Sequence, residues 1–282
     1  MKKAIPNTVT LLNLSCGCIG IIFALSHKLE YAGYVIGIAA ILDFLDGFLA
    51  RILNAKSALG AQLDSFADAV SFGVLPGIIL FQLLSISLGD YYTPFADRSI
   101  TSILISMLGL LVPIFSVLRL AKFNLDDSQT YGFKGLPTPA SAIFIGSLPV
   151  ILSSYNFNFY YPLTGKILGA TAKNLFWGRI KFFAVGTLQD TWFLVLVTLI
   201  ISGLLVSSIP LLALKFKSKS WQDNKDKFIF LIIVLILITY TVLPYVFYIP
   251  KIPILDYLVI PIIILLYVVY SLLCPYFLDS KK

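Results

Sequence analysis

The chain has 282 residues, of which 59% are hydrophobic and only 12% charged, and that much apolar surface exceeds what one water-soluble core of this length can bury. Its 21 basic and 14 acidic residues leave a net charge of +7, but the cations are scattered over short connecting segments, which suits lipid headgroups or phosphates and excludes nucleic acid as a partner. Three cysteines within apolar stretches (Cys16, Cys18 and Cys274) and the lone His27 exclude a disulfide framework and a histidine metal set.

Apolar runs of about 20 residues recur along the whole length, so a cleaved leader does not account for them. In chain order they predict eight spans, roughly 9–26, 31–53, 61–87, 100–121, 137–155, 191–214, 228–249 and 253–277, and hence an all-α polytopic membrane protein. With both termini in the cytoplasm, 14 of the 21 basic residues fall on the inner side, Arg51, Lys56, Arg119, Lys122 and Lys134 among them. The other seven are Lys28, Arg98, Lys166, Lys173, Arg179, Lys181 and Lys251. Four of these lie in one aromatic-rich segment, Asn156 to Asp190, predicted to run along the outer interface.

Four carboxylates stand out against this background. Asp43 and Asp46 fall within the second run, and Asp64 and Asp68 within the start of the third. An aspartate at the centre of an inserted helix costs about 2.5–3.5 kcal/mol and is tolerated where it meets a wet cavity, a cation or a partner. Spacings of three and four residues put each pair on one helical face. Two such faces turned together form a ring of oxygen ligands, whose mutual repulsion calls for bound positive charge. Hard oxygen donors without His or Cys favour Mg2+, Mn2+ or Ca2+. The bland alternative is a set of interfacial residues snorkelling beside Arg51 and Lys56.

Between these carboxylates the chain reads Asp43-Phe-Leu-Asp46-Gly47-Phe-Leu-Ala50-Arg51, then Gly60, Asp64 and Asp68 at fixed intervals. This resembles the D-x2-D-G-x2-A-R-x8-G-x3-D-x3-D signature of the CDP-alcohol phosphotransferase family. The resemblance implies a six-helix membrane core, here over residues 1–215, with two further C-terminal spans over 216–282. It also implies displacement of CMP from a CDP-linked lipid or alcohol by means of two divalent metals, Mg2+ or Mn2+, held by Asp43, Asp46, Asp64 and Asp68, with Asp68 as general base.

The opening Ile5-Pro6-Asn7-Thr8-Val9-Thr10 through Asn13 and Gly17, the Ser71-Phe72-Gly73 triplet, Arg119-Leu-Ala-Lys122-Phe-Asn124 and Gly135-Leu-Pro-Thr138-Pro-Ala140 are similar to the bacterial-type phosphatidylserine synthases of that family. Lys122 stands where those sequences usually carry Arg. That branch implies CDP-diacylglycerol and L-serine as substrates, a homodimer in the bacterial inner membrane, and an active site facing the cytoplasm.

The residues support these expectations individually. Gly47 and Ala50 lack bulk, so a nucleotide can approach the backbone; Gly60 can do the same or simply favour close helix packing. Arg51 suits a phosphate oxygen, with the Ser57 hydroxyl near it. Asn7 and Thr10 are predicted just before the first span, to close over the nucleotide or, for Thr8 and Thr10, to cap the helix. Arg119 and Asn124, at the cytoplasmic end of the fourth span, are the candidates for the serine carboxylate and amine.

Within the enzyme class the alternative is a sister phosphotransferase acting on glycerol-3-phosphate or an inositol phosphate. Those dianionic acceptors demand several convergent cations, and near the motif only Arg51, Arg119, Lys122 and Lys134 are expected. A divalent cation transporter could use the same carboxylates but has no need of Gly47, Ala50, Arg51 and Gly60.

Overall fold

The computed structural model describes residues 4–125, 133–154, 185–212, 224–247 and 255–279. Helices α1 (Ala4–Leu25) and α2 (Leu29–Ile52) form an antiparallel pair. A continuous run follows, made of α3 (Ala58–Asp68), a π-helical stretch (Ala69–Val74) and α4 (Leu75–Ser87). Next come α5 (Ile100–Met107) and α6 (Leu111–Leu125), joined by a 3-10 turn over Leu108–Leu110. The remaining helices are α7 (Thr138–Ser154), α8 (Thr191–Val206), α9 (Lys225–Phe247) and α10 (Leu255–Asp279).

The run Ala58–Ser87 is the central pillar. Beyond the aspartates near its start it is predominantly apolar, and 72% of its most hydrophobic window is buried, against 28% for Ala4–Leu25 and 33% for Ile100–Leu125. All three are long and apolar enough to cross a bilayer. The two outer ones expose Leu12, Ile22, Leu104 and Ile114, surface that lipid rather than water would cover. Phe72, Leu75, Ile79 and Leu83 of the pillar form the core together with Ile145 of α7 and Leu194 of α8.

Helix positions follow the expected spans, with two main differences. Helix α1 already runs from Ala4, because Pro6 in a first turn costs no hydrogen bond. Asn7, Thr8 and Thr10 are therefore helical, and the Thr8 and Thr10 hydroxyls donate to the carbonyls of Ala4 and Pro6 instead of capping. Helix α8 stops at Val206 rather than near 214, and Pro210–Leu211 pairs antiparallel with Phe133–Lys134. That small ladder is closed by Gly135, whose φ of 76° a side chain would strain. The predicted interfacial segment falls, for residues 156–184, outside the described residues.

Two glycine contacts set the helix spacing. A Cβ on Gly33 of α2 would stand 2.2 Å from the Gly146 carbonyl oxygen of α7, and one on Gly109 would stand 2.6 Å from the Phe81 backbone nitrogen. Backbone cannot move aside as a side chain can, so these helices meet nearly in van der Waals contact. Gly37, one turn beyond Gly33, has nothing near it. Gly33→Ala should therefore destabilise by about 1–3 kcal/mol, whereas Gly37→Ala should be neutral or stabilise by up to about 1 kcal/mol. Equal melting temperatures of the two purified variants would contradict this account.

At the end of the α1–α2 pair away from the aspartates, the His27 ring packs against Tyr91 at 4.5 Å and Tyr92 at 4.8 Å. Burial, and then the Arg98 charge, push the imidazole pKa down, so it stays a neutral packing ring.

Candidate active site

The site lies at the turn between α2 and α3. The turn is specified locally: Asn54 takes a left-handed conformation (φ 48°), its N–H donates to the Arg51 carbonyl, and the Ala55 N–H donates to the Ala50 carbonyl at 2.9 Å. This is a Schellman cap with Asn at the left-handed position and the buried Ala55 as its apolar contact. Ser57 then caps α3, its hydroxyl accepting from the Gly60 N–H at 3.0 Å. The chain reverses within a few residues, and the two carboxylate-bearing helices come face to face.

Asp43 from α2 and Asp64 and Asp68 from α3 place carboxylate oxygens within 4.8 Å of one another. Asp46 stands outside this triple. It is buried beside Thr10 and the Gly47 backbone, and its Oδ2 has no hydrogen-bond partner among the described residues. Asp68 Oδ1 is likewise buried without one. Polar oxygens stranded in this way are costly unless a ligand satisfies them. Hard anionic donors this close fit a divalent cation such as Mg2+ or Mn2+, for which Asp43, Asp64 and Asp68 are the nearest set and Asp46 is an adjacent donor.

Above the triple opens a cleft with about 340 Å³ of interior space. Its walls include Asn7, Thr10, Asp43, Asp46, Gly47, Ala50, Arg51, Ser57, Gly60 and Asp64. The motif residues from three helices thus share one cavity, and Asp68 lies behind its rim. A Cβ on Gly47 would meet only the Arg51 side chain, at 3.6 Å, so no protein packing requires glycine there. On Gly60 it would press on Asn7 Oδ1 at 3.0 Å, so that glycine also serves the contact between α1 and α3. Arg51 Nε donates to the Gly47 carbonyl at 2.9 Å, which steadies the guanidinium at the cleft mouth.

The sequence reading missed Lys56 as a wall of this cleft. Asn54, a residue that tolerates the left-handed cap, was the available signal that the turn would swing Lys56 inward. The π-helical stretch directly after Asp68 was also not anticipated. Its wider turn lets the Ser71 hydroxyl donate to the Asn13 carbonyl at 2.9 Å, across from Gly17, where a Cβ would lie 2.5 Å from Ser71 Oγ. The stretch clamps α1 against the helix that carries Asp64 and Asp68.

The two expected acceptor ligands are not brought together. Arg119 is buried on the inner face of α6, Nη1 lies 3.5 Å from the Thr138 hydroxyl, and its charge reaches Asp68. Asn124 is exposed and donates to Ser65 Oγ at 2.9 Å. Five residues on a helix is about 140° of rotation, so the two side chains diverge.

Against known proteins, residues 3–177 match the model of a family described as CDP-alcohol phosphatidyltransferase. Over 216 residues the chain is 34% identical to the CDP-diacylglycerol–serine O-phosphatidyltransferase of Mycobacterium leprae, covering 74% of this chain and 58% of that protein. Over 153 residues it is 39% identical to the Bacillus subtilis protein of the same name, covering 54% and 77%. The archaetidylserine synthase of Methanothermobacter thermautotrophicus is 28% identical over 181 residues, covering 64% and 69%. The chain spans only 47–58% of the length of the mycobacterial relatives it matches. With the family match extending over more than half of its length and the motif aspartates gathered at one cleft, this chain belongs to the CDP-alcohol phosphatidyltransferase family.

Proposed function

We propose that the protein is a phosphatidylserine synthase, transferring the phosphatidyl group of CDP-diacylglycerol to L-serine with release of CMP. The observation that carries this reading is the triple Asp43, Asp64 and Asp68 beneath a cleft walled by Arg51, Lys56 and Gly47. The names of the relatives support serine as the acceptor.

On this reading Asp43, Asp46, Asp64 and Asp68 hold two divalent metals, Mg2+ or Mn2+, which supply charge to the pyrophosphate and the departing CMP. Arg51 and Lys56 contact phosphate oxygens, Asn7, Thr10 and the Ser57 hydroxyl close the polar side, and Gly47 and Ala50 leave room for the nucleotide. The serine oxygen bonds to the phosphorus bearing diacylglycerol, the bond from that phosphorus to CMP breaks, and the hydroxyl proton passes to Asp68. An aspartate is a weak base at neutral pH, so positioning and electrostatics supply most of the rate. The acceptor carboxylate is assigned to Arg119 alone, since Asn124 points elsewhere.

Residues 1–215 carry this chemistry, in a homodimer in the bacterial inner membrane with the cleft facing the cytoplasm. Labelling of a Cys placed at Ser57 only from the cytoplasmic side, and a two-chain mass in detergent, are the checks on those two points. The reading itself is tested by an acceptor panel with CDP-diacylglycerol and Mg2+ or Mn2+. L-serine should drive CMP release, and preference for glycerol-3-phosphate or inositol phosphate would transfer the protein to a sister activity.

A further inference from the structure

The Ser71-Phe72-Gly73 triplet lies in the π-helical stretch Ala69–Val74, which starts at the residue after Asp68 and ends with the Leu75 N–H donating to the Val70 carbonyl. A π turn takes up one residue more than an α turn. Were this stretch α-helical, Asp64 and Asp68 would be rotated by about 100° around the helix axis relative to α4. Helix α4 is not free to turn instead, because a Cβ on Gly77 would stand 2.5 Å from Pro113 Cδ of α6, and the backbone of Gly109 presses on that of Phe81. The direction in which the two carboxylates face α2 is set at this joint.

Each residue of the triplet holds the joint on a different side. Ser71 is buried and its hydroxyl donates to the Asn13 carbonyl of α1 at 2.9 Å, an approach that the missing side chain of Gly17 permits, since a Cβ there would lie 2.5 Å from Ser71 Oγ. Phe72 is fully buried in the core cluster. Gly73 faces α6, where a Cβ would meet Ser116 Cβ at 3.3 Å. A helical serine commonly returns its hydroxyl to a carbonyl of its own helix, as Ser65 and Ser85 do in this same run. The Ser71 hydroxyl joins two helices instead, three residues from Asp68, whose Oδ1 is buried without a hydrogen-bond partner among the described residues. With that oxygen ungripped, the aim of the carboxylate depends on how its backbone is held.

We infer that Ser71 is a positioning residue that acts through Asp68: its bond to the Asn13 carbonyl pins the π turn to α1 and so keeps the Asp68 carboxylate turned toward Asp43 and Asp64. The oxygens of the three lie within 4.8 Å of one another, and a cation bound at about 2.0–2.6 Å from each tolerates little more. A slackened joint loses that spacing before it loses the fold, because Phe72 and Gly73 still hold the stretch against the core and α6. The inference rests on the reading of these carboxylates as metal and proton-transfer groups, and holds whichever acceptor the enzyme uses.

The test uses the full-length purified protein and the Ser71→Ala variant, which keeps the Cβ beside Gly17 and loses only the hydroxyl. Its kcat should fall about three- to tenfold, the scale of one lost hydrogen bond, with the KM for CDP-diacylglycerol within twofold of the parent. The Mg2+ or Mn2+ concentration at the midpoint of the metal-induced rise in melting temperature should increase by a similar factor. In an Asp68→Asn background the same substitution should leave the residual kcat within twofold, because the group through which Ser71 acts is already gone. Ser147→Ala, which removes a buried hydroxyl bonded within its own helix to the Phe144 carbonyl, should change neither quantity. Parental kcat and metal midpoint in Ser71→Ala, an equal loss in both backgrounds, or a Ser71→Ala protein that does not fold would overturn the inference and make the hydroxyl a packing contact. Absence of metal-dependent CMP release by the parent protein with every acceptor of the panel would instead overturn the proposed function itself.

Discussion

Asp68→Asn is expected to lower metal-dependent CMP release by on the order of a thousandfold, about 4 kcal/mol of transition-state stabilisation. The substitution conserves shape and removes one negative charge. In the absence of metal the variant should be no less stable than the parent, because it relieves repulsion among carboxylates that lie within 4.8 Å of one another. Added Mg2+ or Mn2+ should raise the parent's melting temperature, since saturation at a hundred times the dissociation constant contributes about 2.7 kcal/mol. The same addition should barely move the variant. Asp43→Asn and Asp64→Asn should behave alike, as members of the same triple. Asp46→Asn should lose activity with a smaller loss of metal-induced stabilisation, because Asp46 stands outside the triple beside Thr10. Near-normal turnover by any two of the four variants would remove the carboxylates from the chemistry.

The second large effect is expected at Arg119. Arg119→Lys should raise the KM for L-serine by about tenfold or more, the scale of one lost charge-assisted contact at roughly 1.5–3 kcal/mol. Lysine keeps the charge and loses the fork, including the Nε–H that has no partner among the described residues. The shorter reach of its point charge also gives up the Thr138 contact at 3.5 Å. The KM for CDP-diacylglycerol should stay within twofold, because Arg119 is not among the residues that wall the cleft beside Arg51 and Lys56. A rise in the lipid KM with serine unaffected would place Arg119 on the pyrophosphate instead.

These two expectations differ in where they were legible. The four aspartates could be read from the chain because their meaning is local: spacings of three and four residues fix a shared helical face, and the desolvation cost of a carboxylate in an apolar run marks it out. The glycines and Arg51 between them follow the same logic, since each lies within one helix or one turn of a carboxylate. The divergence of Arg119 and Asn124 was also implicit in helix geometry, as 140° of rotation separates positions five apart.

What the chain alone did not determine depends on contacts between distant segments. The π-helical stretch after Asp68 exists where α1 presses on Ser71 through Gly17 and Asn13, and no local propensity encodes an inserted residue of that kind. Lys56 enters the cleft only because the Asn54 cap turns the chain and α1 supplies the opposite wall. Asp46 stands outside the carboxylate triple beside Thr10, a neighbour that only the packing of α1 on α2 supplies. Tyr267 reaches Leu136 and Leu211 from the far end of the chain, through helices whose sequence shows only that they are apolar enough to be buried in something. Hydrophobicity marks those helices for burial; which side chain they bring against Leu136 and Leu211 is decided by how α10 packs on α7, a choice that tertiary packing makes and periodicity does not record.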